Sequence, residues 1–181
     1  AKVQNVGVVD SYFKGKQYVA GVVGYNDGDL SNVYNTGAVS GEYDVGGVVG
    51  YNDDDLTNVY NTGTVSGTDD VGGVVGENIG TVSNVYNTGM VSGIDGAGSV
   101  VGYNAGSIAN AYYDKDVACA NCGSRIGGTT GKTTAELAAL DVASAFDDSE
   151  GNWNAGYSIT SNGWWKYAFP SLKGVGTAPT F

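Results

Sequence analysis

Carboxylates supply the first chemistry legible in this 181-residue chain. Asp27 and Asp53 lie 26 residues apart, as do Asp29 and Asp55, and Asp54 fills the acidic run between. The same interval separates Asp44 from Asp70, with Glu42, Asp69 and Asp95 nearby. If a regular structure advances one layer per interval, like charges stack. Two unit charges about 5 Å apart repel by roughly 1 to 3 kcal/mol at effective dielectrics between 80 and 20. A Ca²⁺ ion bridging adjacent layers removes that cost, and oxygen-rich loops suit calcium. Asp27, Asp29, Asp53 and Asp55 are therefore candidate calcium ligands. A solvated acidic surface that resists edge-to-edge aggregation explains the same residues without an ion, and is the plainer account. Ile79 and Thr81 break both columns in the next interval.

Sulfur chemistry is confined to Cys119-Ala-Asn-Cys122. A small-loop disulfide between Cys119 and Cys122 is expected if the protein is exported. A structural zinc site needs two more ligands, and the chain has no His and no further Cys. A thioredoxin-like pair opens a helix in a βαβ unit, whereas this one sits among Gly, Asn and Ser. Without His, neither a Ser-His nor a Cys-His pair can form. Glycoside hydrolysis needs two carboxylates facing one cleft, and the sequence singles out no such pair. Lyase chemistry on a β-helix draws on Arg, Lys or Ca²⁺ gathered on one face, but Lys14, Lys16, Lys115, Arg125 and Lys132 lie mostly outside the repeated part. The stretch Gly127–Thr133 fits a phosphate loop poorly and reads as a Gly/Thr-rich linker. The expectation is no enzyme. Trp164-Trp165 and a tyrosine column at 34, 60, 86 and 112 offer faces for stacking on sugars. Packing inside the fold is the plainer role for both.

Those residues must be held by elements, and a repeat defines them. Gly21-Val22-Val23-Gly24-Tyr25-Asn26 returns at 47, 73 and 99 in near-identical form. Asn32-Val33-Tyr34-Asn35-Thr36-Gly37 returns at 58 and 84, again 26 residues on. Segments 21–46 and 47–72 differ at only 5 of 26 positions, so no insertion disturbs the register. Short Val- and Tyr-rich runs broken by Gly, Asn and Asp are strand-and-turn chemistry. A helix fails because Gly, Asn, Thr and Val fill most of the unit. One such turn cannot bury its own apolar face, but stacking the next upon it does.

The sequence thus predicts an all-β fold: a right-handed parallel β-solenoid over 1–114, with a partial turn at 3–20 and full or near-full turns at 21–46, 47–72, 73–98 and 99–114. The columns Val22/Val48/Val74/Val100, Leu30/Leu56/Val82/Ile108 and Val39/Val65/Val91 are assigned inward. Which Val of each Val-Val pair faces the core stays open, because strand neighbours point to opposite sides. The facing of the tyrosine column stays open too. Asn26/Asn52/Asn78/Asn104 reads as an amide ladder at a corner. Residues 115–181 are expected to cap the open end, with one short helix near 133–146 opened by Thr133 and Glu136. Trp153, Trp164, Trp165, Tyr167, Phe169 and Leu172 would form that cap's apolar cluster.

With 31 Gly, 2 Pro and a formal charge of −11, the chain is neither collagen-like nor suited to nucleic acid or an anionic membrane. No run of 18 apolar residues marks a membrane span. Ala1 reads as the start of a fragment or of a processed chain.

The units Val45-Gly46-Gly47-Val48-Val49-Gly50-Tyr51-Asn52 and Asn58–Gly67 resemble GLUG repeats. The ending resembles the segment that often follows the last such repeat, at Asn110–Asp114, Thr133–Leu137 and Tyr167–Leu172. The likeness covers roughly residues 3–174. Val where the family usually has Leu, acidic residues in the Asn-Gly turns, and the inserted cysteines depart from it. The resemblance implies a large bacterial surface protein, notably a filamentous-haemagglutinin-like adhesin of two-partner secretion. The expected role is a non-catalytic structural or adhesive segment, secreted to the cell surface, contacting a host or neighbouring-cell ligand (protein or glycan) or copies of itself. Self-assembly into a filament or surface layer is the alternative, and a carbohydrate-binding or carbohydrate-active β-helix a further one. An ice-binding face ranks low, because Thr36/Thr62/Thr88 has no second Thr column beside it.

Overall fold

A computed structural model describes residues 1–117, 119–122, 128–146, 148, 150–161, 164–173 and 175. Its described part is a parallel β-solenoid, in which each 26-residue repeat makes one rung of three sides. The first sheet stacks Lys2–Val8, Asp29–Asn35, Asp55–Asn61, Thr81–Asn87 and Ser107–Asp114. The second carries Ala38–Ser40 and Tyr43–Gly46 and their equivalents. The third stacks Val23–Asn26, Val49–Asn52, Val75–Asn78 and Val101–Asn104. Pairing is in register, as in Leu30↔Leu56, Val65↔Val91 and Val75↔Val101.

All three apolar columns face inward where the rungs are complete: Val48, Val74, Leu56, Val82, Val39 and Val65 are buried. The Val-Val pair resolves unexpectedly, because Val48 and Val49 enter the same core cluster, as do Val74 with Val75 and Val100 with Val101. The first Val lies in the bend before the strand begins, so strict alternation does not yet apply. The tightness of that corner sets the glycines around it. A Cβ at Gly76 would stand 2.6 Å from the backbone of Asp44 and Val45, and one at Gly102 2.5 Å from that of Asp70 and Val71.

Three amide columns satisfy polar groups along the axis. Asn26, Asn52, Asn78 and Asn104 hand one hydrogen bond to the next at 2.7–2.8 Å, confirming the corner ladder. Asn35, Asn61 and Asn87 form a second. Asn32, Asn58, Asn84 and Asn110 form a third, each with positive φ. Asn tolerates that left-handed geometry. The kink it makes inside the first sheet turns Val33 into the core and Tyr34 out of the barrel.

The ladder extends past residue 114. Cys119–Cys122 pairs parallel with Val91–Gly98, and Thr129–Lys132 with Ser107–Asp114, so part of 115–132 lies on the solenoid as a further, shortened rung. At the other end, Lys2–Val8, Tyr12–Lys14 and Gln17–Ala20 supply strands to the first two sheets, with one extra residue between Val8 and Tyr12.

The helical part lies where the capping box predicts: Thr133 accepts from the Glu136 N–H, and Glu136 accepts from the Thr133 N–H. It comprises two short helices, Thr134–Ala138 and Val142–Ala145. Its described residues lie along the side of the solenoid. Leu137, Phe146, Trp153 and Leu172 pack with Tyr34, Tyr60 and Tyr86 on the outer face of the first sheet. The segment is a clasp along the side of the solenoid. The tyrosine rings stack at 4.8 and 5.0 Å and are buried beneath it. Tyr112 Oη donates to the Ala145 carbonyl at 3.2 Å, Trp153 Nε1 donates to Asn58 Oδ1 at 3.3 Å, and Tyr86 Oη donates to the Pro170 carbonyl. The side chains of Trp164, Trp165 and Tyr167 lie outside the described residues.

Candidate functional site

The sequence columns place carboxylates at two corners, and the structure sorts them differently from their spacing. Asp29 is gathered with Asp54 and Asp55, all three exposed. Asp27 and Asp53 lie outside that group. Asp53 instead faces the Tyr25 hydroxyl at 3.5 Å, and burial followed by this carboxylate raises the tyrosine's pKa. The residues that could hold a divalent ion here are thus Asp29, Asp54 and Asp55, with carboxylate oxygens within 4.8 Å of one another.

The second corner, between the second and third sheets, is more deeply set. Its first residue in each rung, at 18, 44, 70 and 96, has positive φ: Tyr18, Asp44, Asp70 and Gly96. Asp and Gly suit that backbone, and Tyr18 meets it at the end of the stack. Asp44 is buried and accepts from Gln17 Nε2 at 3.2 Å. Carboxylate oxygens of Asp44, Asp70 and Glu77 lie within 4.8 Å of one another. Burial, and then Asp44, raise the Glu77 carboxyl above its usual value. Burial, then Asp69, Asp44 and Asp95, push Asp70 up to about 6. Sequence spacing had brought Asp44, Asp70, Asp69 and Asp95 together. Glu77 was missed, because it occupies a column otherwise filled by tyrosine: 25, 51, 77, 103.

That column forms the exposed edge of the third sheet. Tyr25 and Tyr51 stack at 4.9 Å, and Tyr18 meets both edge-on at 5.7 Å. Tyr103 stands two rungs above Tyr51, is half exposed, and walls a cleft of about 350 Å³ with Asp69, Asp70, Asp95, Gly96, Gly102 and Asn104. The arrangement is an acidic, aromatic-walled groove. It offers hydrogen-bond acceptors and ring surface, and among the described residues lining the cleft none is Lys or Arg.

Cys119 and Cys122 are joined in a disulfide whose Cα atoms are 5.6 Å apart, packed at the edge of the second sheet's core beside Val91. It lies in the last rung, where Cys122 pairs with Ala97 beside the cleft residues Asp95 and Gly96. Lys115 pairs with Glu136 at 3.7 Å and ties the clasp to the solenoid, while Lys132 sits over the Tyr112 ring at 5.5 Å within the last rungs. Arg125 falls outside the described residues.

A match to a known family bears on the repeat alone. Residues 41–66 match the GLUG motif. The matched length equals one solenoid rung, running from Gly41 through the third sheet and back to Ser66. No curated protein and no solved structure matches the chain. The chain is thus a repeat protein with a GLUG motif, and the motif and the disulfide are compatible with an extracellular setting. Among the described residues, no helix is long and apolar enough to cross a membrane.

Proposed function

We propose that this chain is a non-catalytic structural and adhesive segment of a large bacterial exoprotein of the filamentous-haemagglutinin-like, two-partner-secreted kind, displayed at the cell surface. The observation that carries this reading is the repeated outer surface. Stacked rungs present the same side chains at constant spacing, and the third sheet leaves tyrosines exposed in a column beside carboxylates. A stiff scaffold with repeated, solvent-facing contact groups suits multivalent binding of a partner on another cell. Adhesion is tested by applying the purified, fluorescently labelled protein to epithelial cells, matrix proteins and a glycan array. Saturable binding to one of these surfaces is expected, and binding no stronger than that of an acidic globular control on all of them overturns the reading.

A second reading, assembly of copies end to end, is favoured by one feature. The strands Lys2–Val8, Tyr12–Lys14, Gln17–Ala20 and Val23–Asn26 pair on one side only among the described residues. Unpaired parallel edges are templates for further strands. Sedimentation and electron microscopy decide it: fibres or concentration-dependent growth support assembly, and monomers at all concentrations remove it. Calcium belongs to the same proposal as a ligand of Asp29, Asp54 and Asp55. Melting with calcium and with chelator tests it by mass action. A shift lost in Asp54→Asn supports the ion, and superimposable melts dismiss it.

A further inference from the structure

We propose that the tyrosine-lined edge of the third sheet, from Tyr18 through Tyr51 to Tyr103, is a docking surface for an extended basic peptide, whose Lys or Arg side chains insert between and beside the rings. This names the partner class for the contact surface just described, and rests on that reading.

The argument starts from a missing ring. Tyr25 and Tyr51 show that adjacent rungs stack aromatic planes 4.9 Å apart. Register places Glu77, not a tyrosine, on the next rung, and Tyr103 on the one beyond. Two rung spacings, about 9.6 Å, separate the Tyr51 and Tyr103 backbones. One more flat or compact group fits in that interval at the spacing the rings already use. Glu77 does not fill it with an apolar body, since its carboxyl lies at the corner within 4.8 Å of those of Asp44 and Asp70.

The character of the occupant follows from charge. The interval and the adjoining cleft are bordered by Glu77, Asp69, Asp70 and Asp95, with no Lys or Arg among the described cleft residues. The chain as a whole carries −11. Carboxylates held close without a counter-charge destabilise one another, and a guanidinium or ammonium group relieves that repulsion, whereas a neutral sugar leaves it in place. A cation against tyrosine rings gains further attraction from their π faces, and a planar guanidinium also stacks. Successive side chains on one face of an extended peptide are spaced about 6.6 to 7 Å apart. Such a peptide laid along the axis can therefore reach both the cleft at Tyr103 and the ring pair at Tyr25 and Tyr51.

The test uses the whole chain and a fluorescein-labelled alternating Gly-Arg peptide, with its Gly-Gln counterpart as control, followed by anisotropy at physiological salt. The Gly-Arg peptide is expected to bind saturably and the Gly-Gln peptide not at all. Tyr103→Ser should weaken binding about fivefold, the loss of one cation–π contact. Asp69→Asn with Asp70→Asn and Asp95→Asn should weaken it about tenfold or more. Asn suits the left-handed backbone of Asp70, so the triple variant keeps its fold, and its circular dichroism checks this. The control is Asp29→Asn with Asp54→Asn and Asp55→Asn, which removes the same charge from a cluster without rings. An equal loss in the control means diffuse charge attraction and overturns the site. Binding of neutral oligosaccharides or of calcium, with no Gly-Arg binding, assigns the groove to another ligand and overturns the proposal. If cells bind the protein but the peptide does not, this inference fails while the adhesive reading stands.

Discussion

Replacing Asp70 by Asn should stabilise this protein at neutral pH and do so less as the solution is acidified. Asp70 sits half-buried at a left-handed corner with Asp69, Asp44 and Asp95 around it, and its carboxyl is pushed from 3.8 up to about 6. A carboxyl whose pKa is raised on folding destabilises the folded state when ionised. That penalty is absent below the unfolded value near 3.8, grows as pH rises between the two values, and is fully present above about 6. A shift of roughly two pH units corresponds to ~3 kcal/mol, and solvent screening of a half-exposed group reduces this to about 1 to 2 kcal/mol. Asn keeps the shape and the tolerance for positive φ but carries no charge. Urea titrations followed by circular dichroism at pH 7.5 and pH 4 give the comparison. The variant should gain about 1 to 2 kcal/mol on the wild type at pH 7.5, roughly 3 to 6 °C in midpoint temperature, with most of that gain gone at pH 4. A gain of equal size at both pH values, or a loss at pH 7.5, would refute the reasoning.

Three further outcomes follow from the packing. Gly76→Ala puts a Cβ 2.6 Å from the backbone of Asp44 and Val45, where no side chain can yield, and should cost about 3 kcal/mol or more in chemical denaturation. A near-neutral result would mean the corner is not that close. Trp153→Ala removes the ring that packs against Tyr60, Tyr86 and Phe146, and should weaken docking of the clasp by about 3 to 5 kcal/mol. Limited proteolysis should then cut between residues 134 and 175 while the β signal persists, and unchanged resistance would contradict the side-on clasp. Intact mass of the unreduced protein should be two hydrogens below that of the reduced form, whereas two alkylatable thiols without reductant would disprove the Cys119–Cys122 bond.

The solenoid was legible because an unbroken 26-residue interval forces like residues into register, and Leu30, Leu56 and Val82 could only stack inward. Side-chain facing was less so. Alternation predicts one buried Val per pair, but Val48 precedes its strand in a bend, and both enter the core. The tyrosine column could not be oriented because left-handed Asn58 and its equivalents reset the alternation in mid-strand. The acidic corner was half legible: spacing paired Asp44 with Asp70, but only the chain's path around the corner brings Glu77 from 33 residues on from Asp44. Nothing in local sequence says whether an aromatic segment closes an end or lies along a side. That depends on which outward column offers it a matching apolar surface, and Tyr34, Tyr60 and Tyr86 do.

The side-on clasp changes how the molecule bears force. A bare stack pulled along its axis would shed rungs singly, like a zip opening from one end, each release resisted only by its own strand pairing. Here Trp153 reaches Asn58 on one rung, Pro170 reaches Tyr86 on the next, and Ala145 reaches Tyr112 on the one after. A crosspiece anchored to three successive layers must be loaded in shear before any of them can part. Tension should therefore meet one large rupture over this stretch in place of a series of small ones, giving the C-terminal rungs the behaviour of a reinforced joint.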